Sequence, residues 1–197
     1  MENLKTGDLL LFSYPNGGFL DSLIYWGTHS NYSHIGMVLK DPTFIHPALR
    51  GTYVWQSSWT GKPDPQDNKI KLGVQITPIN ELVNTYKGSG HCFYRTINCK
   101  NNFSDENLKK VHDVVYNKPY DICPLDWFEA FLKKDPEPQK VDRFWCSALV
   151  GYIYTECGIL KKDTDWSILS PSDFSLSGEN IKFCDGISLS DKEVRIF

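Results

Sequence analysis

Short apolar runs broken by turn residues fill the first half of this 197-residue chain, and helical patterns follow in the second. That order constrains the fold more than any other feature. Strands grouped first and helices grouped after predict an α+β fold, in which a small, largely antiparallel sheet packs against helices. Leu4 to Phe12 (LKTGDLLLF) reads as a turn at Gly7-Asp8 followed by a strand. Further strands are predicted at Ser33–Leu39 (SHIGMVL), Thr43–His46, Tyr53–Ser58 (YVWQSS), Ile70–Thr77 (IKLGVQIT) and His91–Ile97. Thr60–Lys69 is polar with prolines and reads as a surface loop, and Pro78–Thr85 reads as a short helix or turn led by proline.

Helices are predicted at Phe19–Trp26, Ser104–Asn117, Pro124–Leu132 and Asp142–Gly158. Ser104 is a good cap for the second, with Asn107 completing a weak capping box. Ser13–Gly18, Gly27–Tyr32 and the charged, proline-rich Lys133–Lys140 are expected as loops. The tail from Leu160 is irregular, with a turn at Ser170-Pro171 and an edge strand at Val194–Phe197. No repeat or linker divides the chain, so residues 1–197 are expected to form one domain, a length that can bury a sizeable core.

Composition narrows the function classes. With 41% hydrophobic residues the chain is a packed protein, not a disordered one. A formal net charge of -3, with no basic motif, argues against nucleic-acid binding. Six scattered cysteines without a C-x-x-C pair, and no signal peptide, predict reduced thiols and a cytoplasmic location. No apolar run reaches transmembrane length, although peripheral contact with a membrane surface stays open. There is no glycine-rich phosphate loop and no dinucleotide fingerprint, so no cofactor is expected.

The chemistry is expected around DRFWCSALVGYIYTECG, Asp142 to Gly158. Asp142 reads as the N-cap, Ala148, Leu149 and Ile153 as an apolar face, and Gly158 as the stop. Cys146 then falls in the first turn, where free N–H groups and the helix dipole favour a thiolate and lower the thiol pKa. Such a thiol needs a base from elsewhere in the fold. Of the five histidines, His34 is the best placed, since a strand can hold its ring at a fixed distance from a helix-borne sulfur. Gly36 beside it would allow close backbone approach. A third group should fix the imidazole tautomer. Gln56 in YVWQSS is one candidate orienter and His46 is the alternative. His29 would rim a cleft, while His91 and His112 read as surface residues. The competing reading is a zinc site of Cys146, His34 and His46, but the usual short ligand spacings are missing, so no metal is expected.

Taken together, YSHIGMV followed much later by FWCSALVGYIYTECG resembles the circularly permuted branch of the NlpC/P60 papain-like superfamily. Within that branch it is most similar to the YiiX/YebB-like group and its poxviral relatives. LKTGDLLLF, YVWQSS, GVQITPINEL, NKPYD and SPSDF extend the resemblance over most of the chain. The permuted order, histidine before cysteine, matches His34 and Cys146. What the resemblance implies is a papain-like core, with Cys146 as nucleophile, His34 as base and Gln56 at a third position where this group often has glutamate. The branch also includes the lecithin:retinol acyltransferase-like enzymes, which use a second histidine at a spacing similar to that of His46.

The expectation is therefore a cysteine hydrolase that opens amide bonds through an acyl-thioester, on a peptide, amide or lipid substrate. The alternatives are an acyltransferase or lipase acting on lipid amides or esters, and a non-catalytic binding protein on the same fold. Trp26, Tyr32, Trp55, Trp59 and Trp145 are candidates to line an apolar cleft. The Cys146 N–H, with a donor from Asn31-Tyr32-Ser33, is the candidate oxyanion site.

Overall fold

The protein is described from a computed structural model covering residues 3–13, 32–88, 90–121, 140–178 and 181–197. Five strands and a helix come first: β1 Leu9–Ser13, β2 His34–Lys40, β3 Thr52–Trp59, β4 Leu72–Pro78, α1 Ile79–Tyr86 and β5 His91–Arg95. Then follow β6 Ile97–Asn98, α2 Asp105–Val115, α3 Cys146–Glu156, two 3-10 turns, β7 Ser188–Leu189 and β8 Val194–Arg195. The main sheet runs β4-β3-β2-β1-β5-β8 with every neighbour antiparallel, and β6 pairs with β7 beside it. This is an α+β fold with a small antiparallel sheet against a few helices.

Both faces of the sheet are covered, which is why β1 (LLLFS) is apolar without alternation. Leu9, Leu11, Ile35 and Met37 turn toward α2 and α3. Leu10, Phe12, Val38 and Val54 turn the other way, toward Ile79, Leu82 and Val83 of α1. The helix α3 is more deeply placed than an apolar face alone would require: every residue from Cys146 to Thr155 is buried. A helix buried on all sides is the middle of a core, not its lid. Gly151 admits the 3-10 turn Trp166–Ile168, since a Cβ there would come 2.9 Å from Trp166 Cβ and Leu169 Cδ1. Gly158 (φ 67) ends the helix in the left-handed region, as its sequence suggests.

The cap at the other end of α3 differs from the sequence expectation. Trp145 occupies the N-cap, without a side-chain cap bond. Asp142 is exposed and, among the described residues, reaches only its neighbour Arg143, at 3.4 Å. The cause is long-range: Phe144 N–H donates to Pro119 O (3.1 Å) and Phe144 O accepts from Asp121 N–H (3.2 Å), so residue 144 is held extended and the helix cannot begin earlier.

Thr43–His46 forms turns, not a strand, between Pro42 and Pro47 and after Asp41 at φ 46. Ser104 does cap α2, accepting from Asn107 N–H at 3.3 Å, but the Asn107 side chain bonds Asn102 O and leaves the capping box half made. The helices expected at Phe19–Trp26 and Pro124–Leu132, and most of their flanking loops, lie outside the described residues.

Candidate active site

The sheet opens where the site lies. The β2–β3 ladder runs from Lys40↔Thr52 to Met37↔Trp55 and stops there, while β2 stays paired to β1 as far as Phe12↔His34. β3 continues along β4 to Trp59↔Leu72. At their far ends, then, β2 and β3 part. Gly36 sits at the fork, where a Cβ would come 2.5 Å from Val54 Cγ1. The lead into α3 is tied beside this fork, because the Ser57 hydroxyl donates to Phe144 O at 2.6 Å. Two residues further on is Cys146.

Ladder geometry alternates N–H directions along an antiparallel strand. Val38 N–H goes to Asp8 O on the β1 side, so Ile35 N–H points toward β3, where no ladder partner remains. It is among the N–H groups that favour the charged form of the Cys146 thiol. His34 is the residue before. Its Nε2 lies 2.6 Å from Gln56 Oε1, and Gln56 Nε2 donates to Thr77 Oγ1 at 2.9 Å. With the amide nitrogen so engaged, Oε1 is an acceptor, and His34 must carry its proton on Nε2. Nδ1 is left with a lone pair and has no hydrogen-bond partner among the described residues. Phe12 and Tyr86 hold the ring, at centroid distances of 5.6 and 6.4 Å.

The site is buried and uncharged. Cys146 is 2% exposed, His34 6% and Gln56 0%. Burial pushes His34 down to about 4, only partly opposed by the bond to Gln56. Burial likewise pushes the Cys146 thiol up to about 11, against the N–H groups of Ile35, Ser147 and Cys146 itself. The Ser147 hydroxyl gives its one proton to Leu169 O at 2.6 Å and so has none for the sulfur. The expected lowering of the thiol pKa by the helix start is therefore reversed: a few N–H dipoles are outweighed by loss of water around the whole group. At neutral pH the thiol and the imidazole are both uncharged, and no hydrogen bond joins them among the described residues.

The structure thus brings Gln56 onto His34 and the β2 backbone onto Cys146. It does not bring His46 to them. That ring is exposed in the turn after β2, and its Nδ1 accepts from Ala48 N–H at 3.2 Å. The described aromatics expected to line a cleft differ in their surroundings. Trp55 is fully buried, Trp59 is 62% exposed, Trp145 donates to Leu169 O, and the Tyr32 hydroxyl donates to Glu193. Ser33 N–H is taken by Phe12 O at 2.9 Å, so of that loop's donors it is not free for an oxyanion; Asn31, Trp26 and His29 lie outside the described residues. Thr77 and the Ile35 N–H were not legible in the sequence, since both depend on register and on where a ladder ends.

No family profile and no curated protein matches the sequence. Among solved structures, the crystal structure of metalloprotein yiiX from Escherichia coli O157:H7 (DUF1105) matches with a TM-score of 0.51 and 16% identity, covering 96% of this chain and 98% of that one. That protein is named as a metalloprotein. Here no three or more His, Cys, Asp or Glu side chains are grouped to hold a metal among the described residues, and His46 stands apart from His34 and Cys146. The chain shares, over nearly its whole length, the fold of the YiiX structure.

Proposed function

We propose that this chain is a cysteine hydrolase of permuted papain-like architecture, opening amide bonds of a peptide or other acyl amide. The observation that carries the reading is the state of His34. Its Nε2–H is committed to Gln56 and its Nδ1 keeps a lone pair, one residue from the N–H that meets the Cys146 sulfur. A neutral amide in the orienting role has precedent in the Cys-His-Asn sets of papain-like proteases.

In this reading His34 Nδ1 takes the proton of the Cys146 thiol as the sulfur attacks the acyl carbon. The carbonyl oxygen becomes an oxyanion facing the Cys146 N–H, which as a first-turn donor has no partner within the helix. His34 returns the proton to the leaving nitrogen, the C–N bond breaks, and an acyl-thioester remains. His34 then takes a proton from water. The hydroxide adds to the thioester, the C–S bond breaks, and carboxylate and thiol are released. Because burial keeps the resting thiol protonated, the nucleophile is made only when the proton moves, and charge separates only inside the complex.

The test is covalent trapping. Wild type and Cys146→Ala are incubated at pH 7 with activated acyl esters and amides of peptide and of fatty-acyl type, and the intact mass is measured. An acyl adduct, released by hydroxylamine and absent from Cys146→Ala, is expected. No adduct at Cys146 with any of these donors sinks the proposal. Which acyl class loads the sulfur also separates peptide from lipid chemistry.

A further inference from the structure

We propose that Thr77 is a positioning residue for His34, acting through the Gln56 amide; the inference rests on the reading of His34 as the base. Gln56 and Thr77 stand on the same face of adjoining strands, as the pairs Val54↔Thr77 and Gln56↔Gln75 require. Gln56 is fully buried and Thr77 is 4% exposed. The amide spans the two, with Oε1 2.6 Å from His34 Nε2 and Nε2 2.9 Å from Thr77 Oγ1.

An amide has two unlike ends of nearly the same shape. Turned through half a circle, Gln56 would offer its NH₂ to His34 Nε2. That nitrogen would then need its lone pair, and the ring proton would pass to Nδ1, the atom that has to accept from the thiol. The base would be switched off with almost no displacement of heavy atoms. A carboxylate in this position accepts with both oxygens and cannot make the error. A hydroxyl can donate as well as accept, so Thr77 does not forbid the turned amide. In the orientation found here, though, Thr77 Oγ1 is the acceptor behind the NH₂, and losing it would strand a buried N–H, a worse state than a stranded C=O. Among the described residues no charged side chain acts on His34 to choose between the tautomers.

The experiment is nitrogen-15 NMR of histidine-labelled protein at pH 7, where His34 is neutral, with a melting curve on each variant. Wild type should show His34 protonated at Nε2 and bare at Nδ1. Thr77→Val should move population to the Nδ1–H form and lower kcat by about fivefold with KM unchanged, the scale of one lost buried hydrogen bond. Thr77→Ser should restore both. If Thr77→Val does not fold, Thr77→Ala serves, and combining either with Gln56→Glu should return the ring to Nε2–H. A wild-type ring protonated at Nδ1, or a Thr77→Val spectrum identical to wild type, overturns the proposal. Thr77-dependent tautomer signals without any acyl adduct would leave this device standing while the hydrolase reading fails. Adducts with an unmoved tautomer would do the reverse.

Discussion

Two of the described buried histidines rest on glutamines, and only one of them adjoins a residue, Ile35, whose N–H acts on a buried thiol. His34 Nε2 meets Gln56 Oε1 at 2.6 Å, and His112 Nε2 meets Gln66 Oε1 at 2.8 Å. Both rings are packed among aromatics, Phe12 and Tyr86 in one case and Trp55 and Tyr116 in the other. Burial lowers the pKa of both. Their surroundings differ. Gln66 continues to Asp64, which with Asp67 holds Lys71 at 2.9 Å, and Tyr116 donates to Asp67. That cluster pins the segment 60–71 onto α2 and is laced with charge. His112 Nδ1 is buried without a hydrogen bond, its nearest acid Asp113 being 3.7 Å away. A glutamine-held imidazole is therefore no signature of catalysis. What distinguishes His34 is its place at the fork of β2 and β3, with the first turn of α3 alongside.

The largest effects that can break this comparison are catalytic. Cys146→Ala should abolish turnover, and His34→Ala should lower it by about 10²–10⁴-fold. His112→Ala should leave it unchanged in the same assay. Loss of activity at both histidines would erase the distinction.

Acid titration of stability comes next. His34 falls from 6.5 to about 4 on folding, so the unfolded chain takes up a proton first as pH drops. Stability present above pH 6.5 should be lost between there and pH 4, by ~3 kcal/mol from His34 alone. Melting curves of wild type against His34→Gln measure it; parallel curves would refute the buried neutral ring. His112 acts in the same direction.

A smaller loss, about 1–3 kcal/mol by denaturant unfolding, is expected for His112→Ala, which strands the Gln66 oxygen in the interior. Gln56→Glu should raise the His34 pKa by about 1–3 units and move the acid limb of activity upward; an unmoved limb would dissociate His34 from that limb. His46→Ala should change stability by less than about 0.5 kcal/mol and turnover not at all.

Local pattern made much of this legible. Apolar runs located β1 to β5 within a residue or two, Ser104 announced the start of α2, and Gly158 the end of α3. Gln56 was within reach because the YVWQSS strand borders the His34 strand. What was not legible depends on chain far away in sequence. Asp142 looked like a cap until Phe144 was tied to Pro119 and Asp121. His112 looked exposed because α2 is amphipathic by itself; the 60–71 segment covers it through Gln66. The thiol pKa followed the dipole rule in isolation, whereas the depth of α3 decides it. His46 kept a suggestive spacing, but Pro42 and Pro47 turn it outward.

The relay His34–Gln56–Thr77 contains no ionised member at neutral pH. Counter-ions have nothing there to shield, so its geometry should hold from dilute buffer to strong brine. The Lys71 cluster with Asp64 and Asp67 does carry charge, although its side chains are at most 11% exposed and so are largely sheltered from added electrolyte. If rising ionic strength loosens either buried cluster it is the charged one in the 60–71 segment, while the imidazole held by Gln56 keeps its aim.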